Sequence, residues 1–232
     1  MLACRTCDSD SVTPISGSNQ PLFGICGSCG SLQSDELFDR SSMAGMDIYG
    51  DTKTYPQFCL TLGQRIFRSY PLIRYLSPGR MFQVEANDGY LGATWLHRGW
   101  TVEASSLSGI SAKRAAKLGI NIIVGMPSEL IDRTVDPYDT IVTEMGYCRF
   151  PSPLGELSVV LPRLRVGGAL LIHGPNPASS DLLAGVHGHL NRLNLTIPHP
   201  NAIVRFCERE NMVLVERRED GPDMALIFVR VR

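Results

Sequence analysis

Two cysteine pairs near the start of the chain are the residues best suited to chemistry. Cys4 and Cys7 are spaced C-x2-C, and Cys26 and Cys29 repeat that spacing after eighteen intervening residues. Each pair can wrap one side of a tetrahedral ion, and Gly24, Gly27 and Gly30 supply the left-handed backbone that such knuckles need. The ion this donor set points to is a structural Zn2+, because four thiolates leave no open position for a reaction. Too few apolar residues lie in 1–35 to fold without it. Cys59, Cys148 and Cys207 are isolated and read as buried thiols.

A second set of residues could move protons. The stretch Glu85-Ala86-Asn87-Asp88-Gly89 is polar and turn-forming, and it directly follows an apolar run. Glu144 and Tyr147 follow another apolar run, and His173 ends a third. Carboxylate, phenol and imidazole groups serve as general acids and bases when positioned next to a substrate. His187 and His189 flank Gly188 farther along. His173, His187 and His189 read equally as hydrogen-bonded structural or surface histidines. His199 sits between prolines and reads as loop surface, and His97 as a C-terminal helix cap favoured by the helix dipole.

The elements that must position these groups follow from hydrophobic periodicity. Residues 31–53 are polar and read as a connection. Residues 54–76 turn helical, with Phe58, Leu62 and Ile66 four apart on one face, until Ser77-Pro78-Gly79 stops them. Strands are expected at 81–85, 101–105, 120–124, 139–144 and 169–173. Helices are expected at 90–97, 111–118, 153–164 and 202–210. Residues 212–217 and 224–231 are β-rich and joined by the turn signal Glu219-Asp220-Gly221-Pro222. Repeated βα units imply a parallel sheet covered by helices on both faces. The last two strands, joined by a short turn, must be antiparallel. The expected fold class is therefore α/β, a Rossmann-like, mainly parallel sheet with a terminal antiparallel hairpin. The expected organisation is a four-cysteine module at 1–35, a linker and helix at 36–78, and a Rossmann-like domain at 79–232.

Composition narrows the class. The 232 residues are 44% hydrophobic and 19% charged with a net charge of −1, an ordinary globular balance. Lys53, Lys113 and Lys117 are the only lysines and no basic stripe occurs, which argues against nucleic-acid binding. No apolar run reaches the roughly 18–20 residues of a membrane span, and no signal-peptide layout opens the chain. A cytoplasmic protein is expected, in a compartment that keeps the paired cysteines reduced.

The cysteine quartet followed by Gln83-Val-Glu-Ala-Asn-Asp-Gly89 resembles the zinc-ribbon S-adenosylmethionine (SAM) methyltransferases typified by nucleotide-sugar C-methyltransferases. Tyr138-Asp139-Thr-Ile-Val-Thr-Glu-Met resembles their fourth strand. Leu164-Arg-Val-Gly-Gly168-Ala-Leu-Leu-Ile-His-Gly-Pro-Asn176 resembles their fifth-strand segment. His187-Gly188-His189-Leu190 resembles the stretch before their last helix. The likeness runs along essentially the whole chain, although the family's additional C-terminal domain has no counterpart before the sequence ends. That departure counts against a sugar-nucleotide substrate.

What the resemblance implies is a class I methyltransferase fold that holds SAM at Ala86, Asn87, Asp88 and Gly89, at Ser106 and around Met126. Tyr49 and Tyr55 stand where family members place tyrosines over the cofactor, and they read equally as packing residues. Four departures bear on this site. Glu85 stands where the family has glycine, Gln83 where it has an acid, and Ala104 where it has a second glycine. Ser106 replaces the acid that grips the ribose, and one hydroxyl cannot accept two hydrogen bonds in that fork geometry. Each lost charge-assisted bond costs about 1.5–3 kcal/mol. Three functions remain open. The first is SAM-dependent methylation of a small molecule in specialised metabolism. The second is a repurposed fold that has lost SAM and performs cyclisation, elimination or isomerisation with Glu85, Glu144 and the histidines. The third is a non-catalytic subunit supporting a partner chain, and a homo-oligomer is also compatible with the sequence.

Overall fold

The computed structural model describes residues 3–15, 23–35, 38–44, 54–130, 136–180 and 195–232. Its strands, in chain order, are β1 (Val12–Pro14), β2 (Phe23–Cys26), β3 (Leu32–Ser34), β4 (Arg80–Val84), β5 (Thr101–Ser106), β6 (Asn121–Val124), β7 (Tyr138–Thr143), β8 (Leu164–Pro175), β9 (Thr196–Ile197), β10 (Met212–Asp220) and β11 (Asp223–Arg230). The described helices are α1 (Arg40–Ala44), α2 (Thr54–Ser69), α3 (Pro71–Tyr75), α4 (Tyr90–Leu96), α5 (Gly109–Lys117), α6 (Pro127–Leu130), α7 (Pro153–Val160) and α8 (Pro200–Arg209). None of them is long and apolar enough to cross a membrane.

Seven strands form the main sheet in the order β10-β11-β8-β7-β4-β5-β6. The five from β8 to β6 run parallel, and β11 turns antiparallel against both β8 and β10. This is the expected doubly wound sheet with a terminal hairpin. A parallel sheet is buried on both faces, and the residues of β4 show how. Phe82 and Val84 pack with Ile141, Leu170, Leu157, Ile203 and Phe206 on one side. Met81 packs with Leu62, Ile66, Leu91, Val102 and Leu171 on the other. Fully burying one such side chain stabilises by about 1.5–3 kcal/mol.

Three boundaries differ from the sequence expectation. The helix expected over 54–76 is two helices, because the ring of Pro71 pushes the preceding Tyr70 out of helical geometry, to φ −104° and ψ 101°. The helix expected to 164 ends at Val160, where Leu161–Arg163 tightens into a single 3-10 turn around Pro162, and β8 begins directly afterwards. The polar connection expected over 31–53 contains both β3 and α1.

A second, four-stranded sheet runs β1-β2-β3-β9. Its last strand is supplied from the distant segment Thr196–Ile197, whose register places Ile197 against Leu32 and Thr196 against Gln33. Phe23, Leu32 and Ile197 are buried in the same core as Cys148, Phe150 and Leu154. The cysteine module and the main sheet therefore share apolar packing as well as backbone hydrogen bonds.

Candidate functional site

A doubly wound sheet offers its ligand site outside the carboxyl ends of the strands, where the strand order reverses. Here that point lies between β4 and β7. Glu85 leaves the end of β4, Ser106 ends β5, Glu144 leaves β7, and His173 lies near the end of β8.

The turn after β4 is tightly wound. Glu85, Asn87 and Gly89 have φ of 50°, 51° and 81°. Only glycine adopts this region freely, with asparagine next. Gly89 is required by packing as well: a Cβ there would lie 2.6 Å from Ala115 Cβ and 2.8 Å from Ile120 Cδ1. The glycine therefore lets α4 and α5 approach each other. Glu85 is held in its conformation by several bonds. Its amide donates to Ser105 Oγ at 3.1 Å, and its Oε2 accepts from the Leu107 amide at 2.7 Å. Its Oε1 accepts from Arg149 Nη1 at 3.2 Å.

Arg149 extends this contact into a line of buried polar groups. The same Nη1 donates to Asn87 Oδ1. Asn87 Nδ2 donates to Glu144 Oε1 at 2.8 Å, and the Cys59 thiol points at Glu144 Oε2 at 3.8 Å. Every member is at least 97% buried. Burial pushes the Glu85 carboxyl up to about 7, against the pull of Arg149 and of the Leu107 amide. Gly146 completes the arrangement, because a Cβ there would lie 2.7 Å from Glu85 Cγ. A buried carboxylic acid that is half ionised at neutral pH can both give and take a proton.

His173 sits beside this line. It is 1% exposed, and its Nε2 lies 3.0 Å from Arg65 Nη2. A guanidinium can only donate, so Nε2 accepts and the imidazole proton rests on Nδ1. Phe58 lies against the ring with centroids 6.3 Å apart. Arg65, which is exposed, connects the buried His173 ring to solvent.

The other expected site residues lie as follows. Asp88 accepts from Arg114 at 3.2 Å, and Ala86 is fully buried beside it. Ser106 is folded back on itself: its Oγ accepts from the Ser108 amide at 3.2 Å and lies 3.4 Å from the Ser108 carbonyl. Met126 is half-buried and leads into α6. Tyr147 stands apart from the polar line. Its ring is fully buried in the core with Cys148 and Cys207, it approaches Gly174, and burial raises its phenol well above the ordinary value. His187, His189 and Tyr49 lie outside the described residues, and Tyr55 opens α2. His97 caps α4 as expected. His199 is not loop surface: it is half-buried, and its Nδ1 accepts from the Asn201 amide as the N-cap of α8.

Arg149 and Arg65 were not singled out from the sequence, and Cys59, expected only as a buried thiol, is buried as expected but also faces Glu144. The available signal for Arg149 was a lone charge between Cys148 and Phe150 in an otherwise apolar and aromatic run.

The geometry tests whether SAM fits. The carboxylate of Glu85 is wholly buried at the turn after β4 and takes the Leu107 amide. The Ser106 hydroxyl, expected at the ribose, is turned into the Ser108 loop. As they stand, these residues do not fit SAM.

The four-cysteine cluster does fit a metal. All four Sγ atoms lie within 4.8 Å of one another, with Cys4–Cys29 and Cys7–Cys26 both at 3.7 Å. A tetrahedron with metal–sulfur bonds of about 2.3 Å spaces its sulfurs about 3.8 Å apart. Burial pushes the Cys4 thiol up to about 12. Burial also opposes ionisation of Cys26, but the backbone amides of Cys29 and Ser28 and the Ser11 hydroxyl outweigh it and bring that thiol down to about 6. Knuckle amides that favour thiolate are what a cation requires. Cys4, Cys7, Cys26 and Cys29 could hold a metal ion.

No protein-family model and no curated protein matches the sequence. Solved structures do. An O-methyltransferase family protein from Burkholderia thailandensis superposes with a TM-score of 0.62 at 14% identity over 76% of this chain, which spans 57% of that protein. Magnesium protoporphyrin IX methyltransferase from Synechocystis PCC 6803, with bound SAH, gives 0.60 at 14% identity over 83% of this chain and 94% of its own. A SAM-dependent methyltransferase from Archaeoglobus fulgidus gives 0.59 at 15% identity, over 74% of this chain and 94% of its own. The chain has the Rossmann-like class I methyltransferase fold. At these identities the likeness is one of fold, and function must be argued from the site.

Proposed function

We propose that the chain is a methyltransferase-like enzyme acting on a small molecule, and that its chemistry runs through the buried acid–base cluster without SAM. The observation that carries this reading is the Glu85 carboxylate. It stands on a backbone position suited to glycine, it is wholly buried, and it is fixed by Leu107 and Arg149 at the end of β4, where a doubly wound sheet takes its ligand. Isomerisation, elimination and cyclisation need only proton transfers and no co-substrate, so a carboxyl near pH 7 beside a second carboxylate suits them. In this reading a small molecule meets the cluster from the side of Arg65, Phe58 and His173. Glu85 and Glu144 exchange protons with it, and Arg149 holds the Glu85 carboxylate in place. A role in specialised metabolism belongs to the same proposal. The cysteine quartet is assigned a structural zinc ion.

A second reading, SAM-dependent methyl transfer, draws support from the Asn87-Asp88-Gly89 turn and from the SAH-bound fold relative. It requires Glu85 to leave its two partners. Isothermal titration of the purified protein with SAM and with SAH separates the two. The first reading expects no binding heat and no thermal shift. Micromolar binding, about −8 kcal/mol, would overturn it and establish the second. The substitution Glu85→Gly sharpens the test: it abolishes turnover if the carboxyl is the base, and gains SAM affinity if the carboxyl only fills the cleft.

A further inference from the structure

The cysteine module is bonded to the polypeptide that carries Arg149. Leu195 is the junction. Its carbonyl accepts from the Ser34 amide at 2.9 Å and from Arg5 Nη1 at 3.1 Å, and Arg5 follows the metal-ligand candidate Cys4. Its amide donates to the carbonyl of Cys148, the residue before Arg149, at 2.8 Å. Thr196 Oγ1 then donates to the carbonyl of Pro151, two residues after Arg149, at 2.9 Å. The peptide is thus gripped on both sides of the guanidinium-bearing residue.

The metal end of this connection is equally direct. The Ser31 hydroxyl accepts from the His199 amide at 2.9 Å and lies 3.2 Å from Cys29 Sγ. With Cys29 as a thiolate, that hydroxyl can donate to the sulfur while it still accepts from His199. Gly30 has φ +75°, and a Cβ there would come 2.8 Å from His199 Cδ2. Ala202 on α8 packs against Cys4, Cys26 and Cys29. Between the sulfurs and Arg149 lie only short hydrogen bonds, the β3–β9 pairing and van der Waals contact.

We propose that metal bound at the cysteine quartet fixes the segment 195–199 and thereby positions Arg149 in the buried polar line. The ribbon is then a positioning device for the site, in addition to being a folding unit. When the metal leaves, the four sulfurs within 4.8 Å lose the ion that ties the two knuckles together, β3 loosens, and β9 loses its partner. The 3-10 turn Met145–Arg149 is released with it. This inference does not depend on whether the cluster uses SAM, because it concerns the placement of Arg149 alone.

The test uses the full chain loaded with zinc and labelled with 15N at arginine. It follows the Arg149 side-chain resonance and the exchange of the Leu195 amide before and after chelation. The expected result is a displaced or broadened Arg149 signal and Leu195 exchange faster by about ten-fold or more, the scale of one or two lost hydrogen bonds. Amides joining β4 to β5 should hold their protection. Loss of protection in the ribbon with Arg149 and Leu195 unchanged would overturn the proposal, as would a metal content well below one equivalent. Should chelation unfold the whole chain, the double variant Arg5→Ala, Ser31→Ala removes the two side-chain links while sparing every cysteine and the backbone pairing of β3 with β9. With zinc still at one equivalent, it should displace the same Arg149 signal. An unmoved signal in that variant would equally overturn the proposal.

Discussion

Glu85 places a carboxylate wholly out of water on a left-handed backbone, a conformation that costs a residue other than glycine about 1–2 kcal/mol. The bonds from Leu107 and Arg149 offset that cost, and they make the residue sensitive to pH. The ordinary carboxyl value is 4.5 and the folded value is about 7, so between them the folded state keeps a proton that the unfolded state has lost. This contribution to stability is full below about pH 4.5 and is lost as pH rises through about 7. Chemical denaturation at a series of pH values should show the advantage of the parent over Glu85→Gln shrinking across that window and flat above it. Arg149→Ala should raise the Glu85 value further and cost up to roughly 3–5 kcal/mol above about pH 7, where the carboxylate is ionised, and less below it, where the group takes up a proton. Gly146→Ala drives a methyl group against both Glu85 Cγ and the Glu85 carbonyl oxygen and should lower the urea midpoint, and adding Glu85→Gly should recover only part of the loss because the backbone contact remains. Of this cluster, the placement of Glu85, Asn87 and Glu144 at the strand ends was legible in the sequence, because an apolar run followed by polar turn residues marks where a strand stops. Arg149 was not legible. It meets Glu85 across 64 residues, and hydrophobic periodicity says nothing about which side chains from two separate loops will touch.

Among the elements, the strands of the main sheet were legible because burial on both faces demands runs such as Ala169-Leu-Leu-Ile in β8 and Met224-Ala-Leu-Ile-Phe in β11. Proline set the limits that periodicity missed, at Pro71 and Pro162. The glycine opening α4 was legible as a tight turn, but its second role, admitting Ala115 and Ile120, depends on how α5 packs. Gly89→Ala therefore meets both an unfavourable φ and an overpacked contact. It should cost roughly 2–4 kcal/mol in equilibrium unfolding, and part of this should return when Ala115→Gly is added. Strand β9 escaped the sequence entirely. Two residues carry no period, and Thr196–Ile197 is extended because β3 is there to pair with it. Ile197→Ala should destabilise by about 2–5 kcal/mol, since that side chain is fully buried between the ribbon and the main core.

At the scale of the whole molecule, the α/β class, the doubly wound sheet and the cysteine quartet were all written in spacing and periodicity, and the structure assembles them as expected. The joining of the quartet to the main sheet was hidden, since it depends on a contact between residues 33 and 196. Zinc analysis of the purified protein should give one equivalent per chain, and removing the metal should lower the melting temperature of the ribbon and β9 ahead of the main sheet. The shared sheet also bears on descent. A gene that gained or lost the first 35 residues by recombination would leave the strand at Thr196–Ile197 without its neighbour, or the ribbon without its fourth strand. The two pieces can be inherited or exchanged only together with residues 195–202, so in lineages of this fold the ribbon and that short downstream segment should change in step.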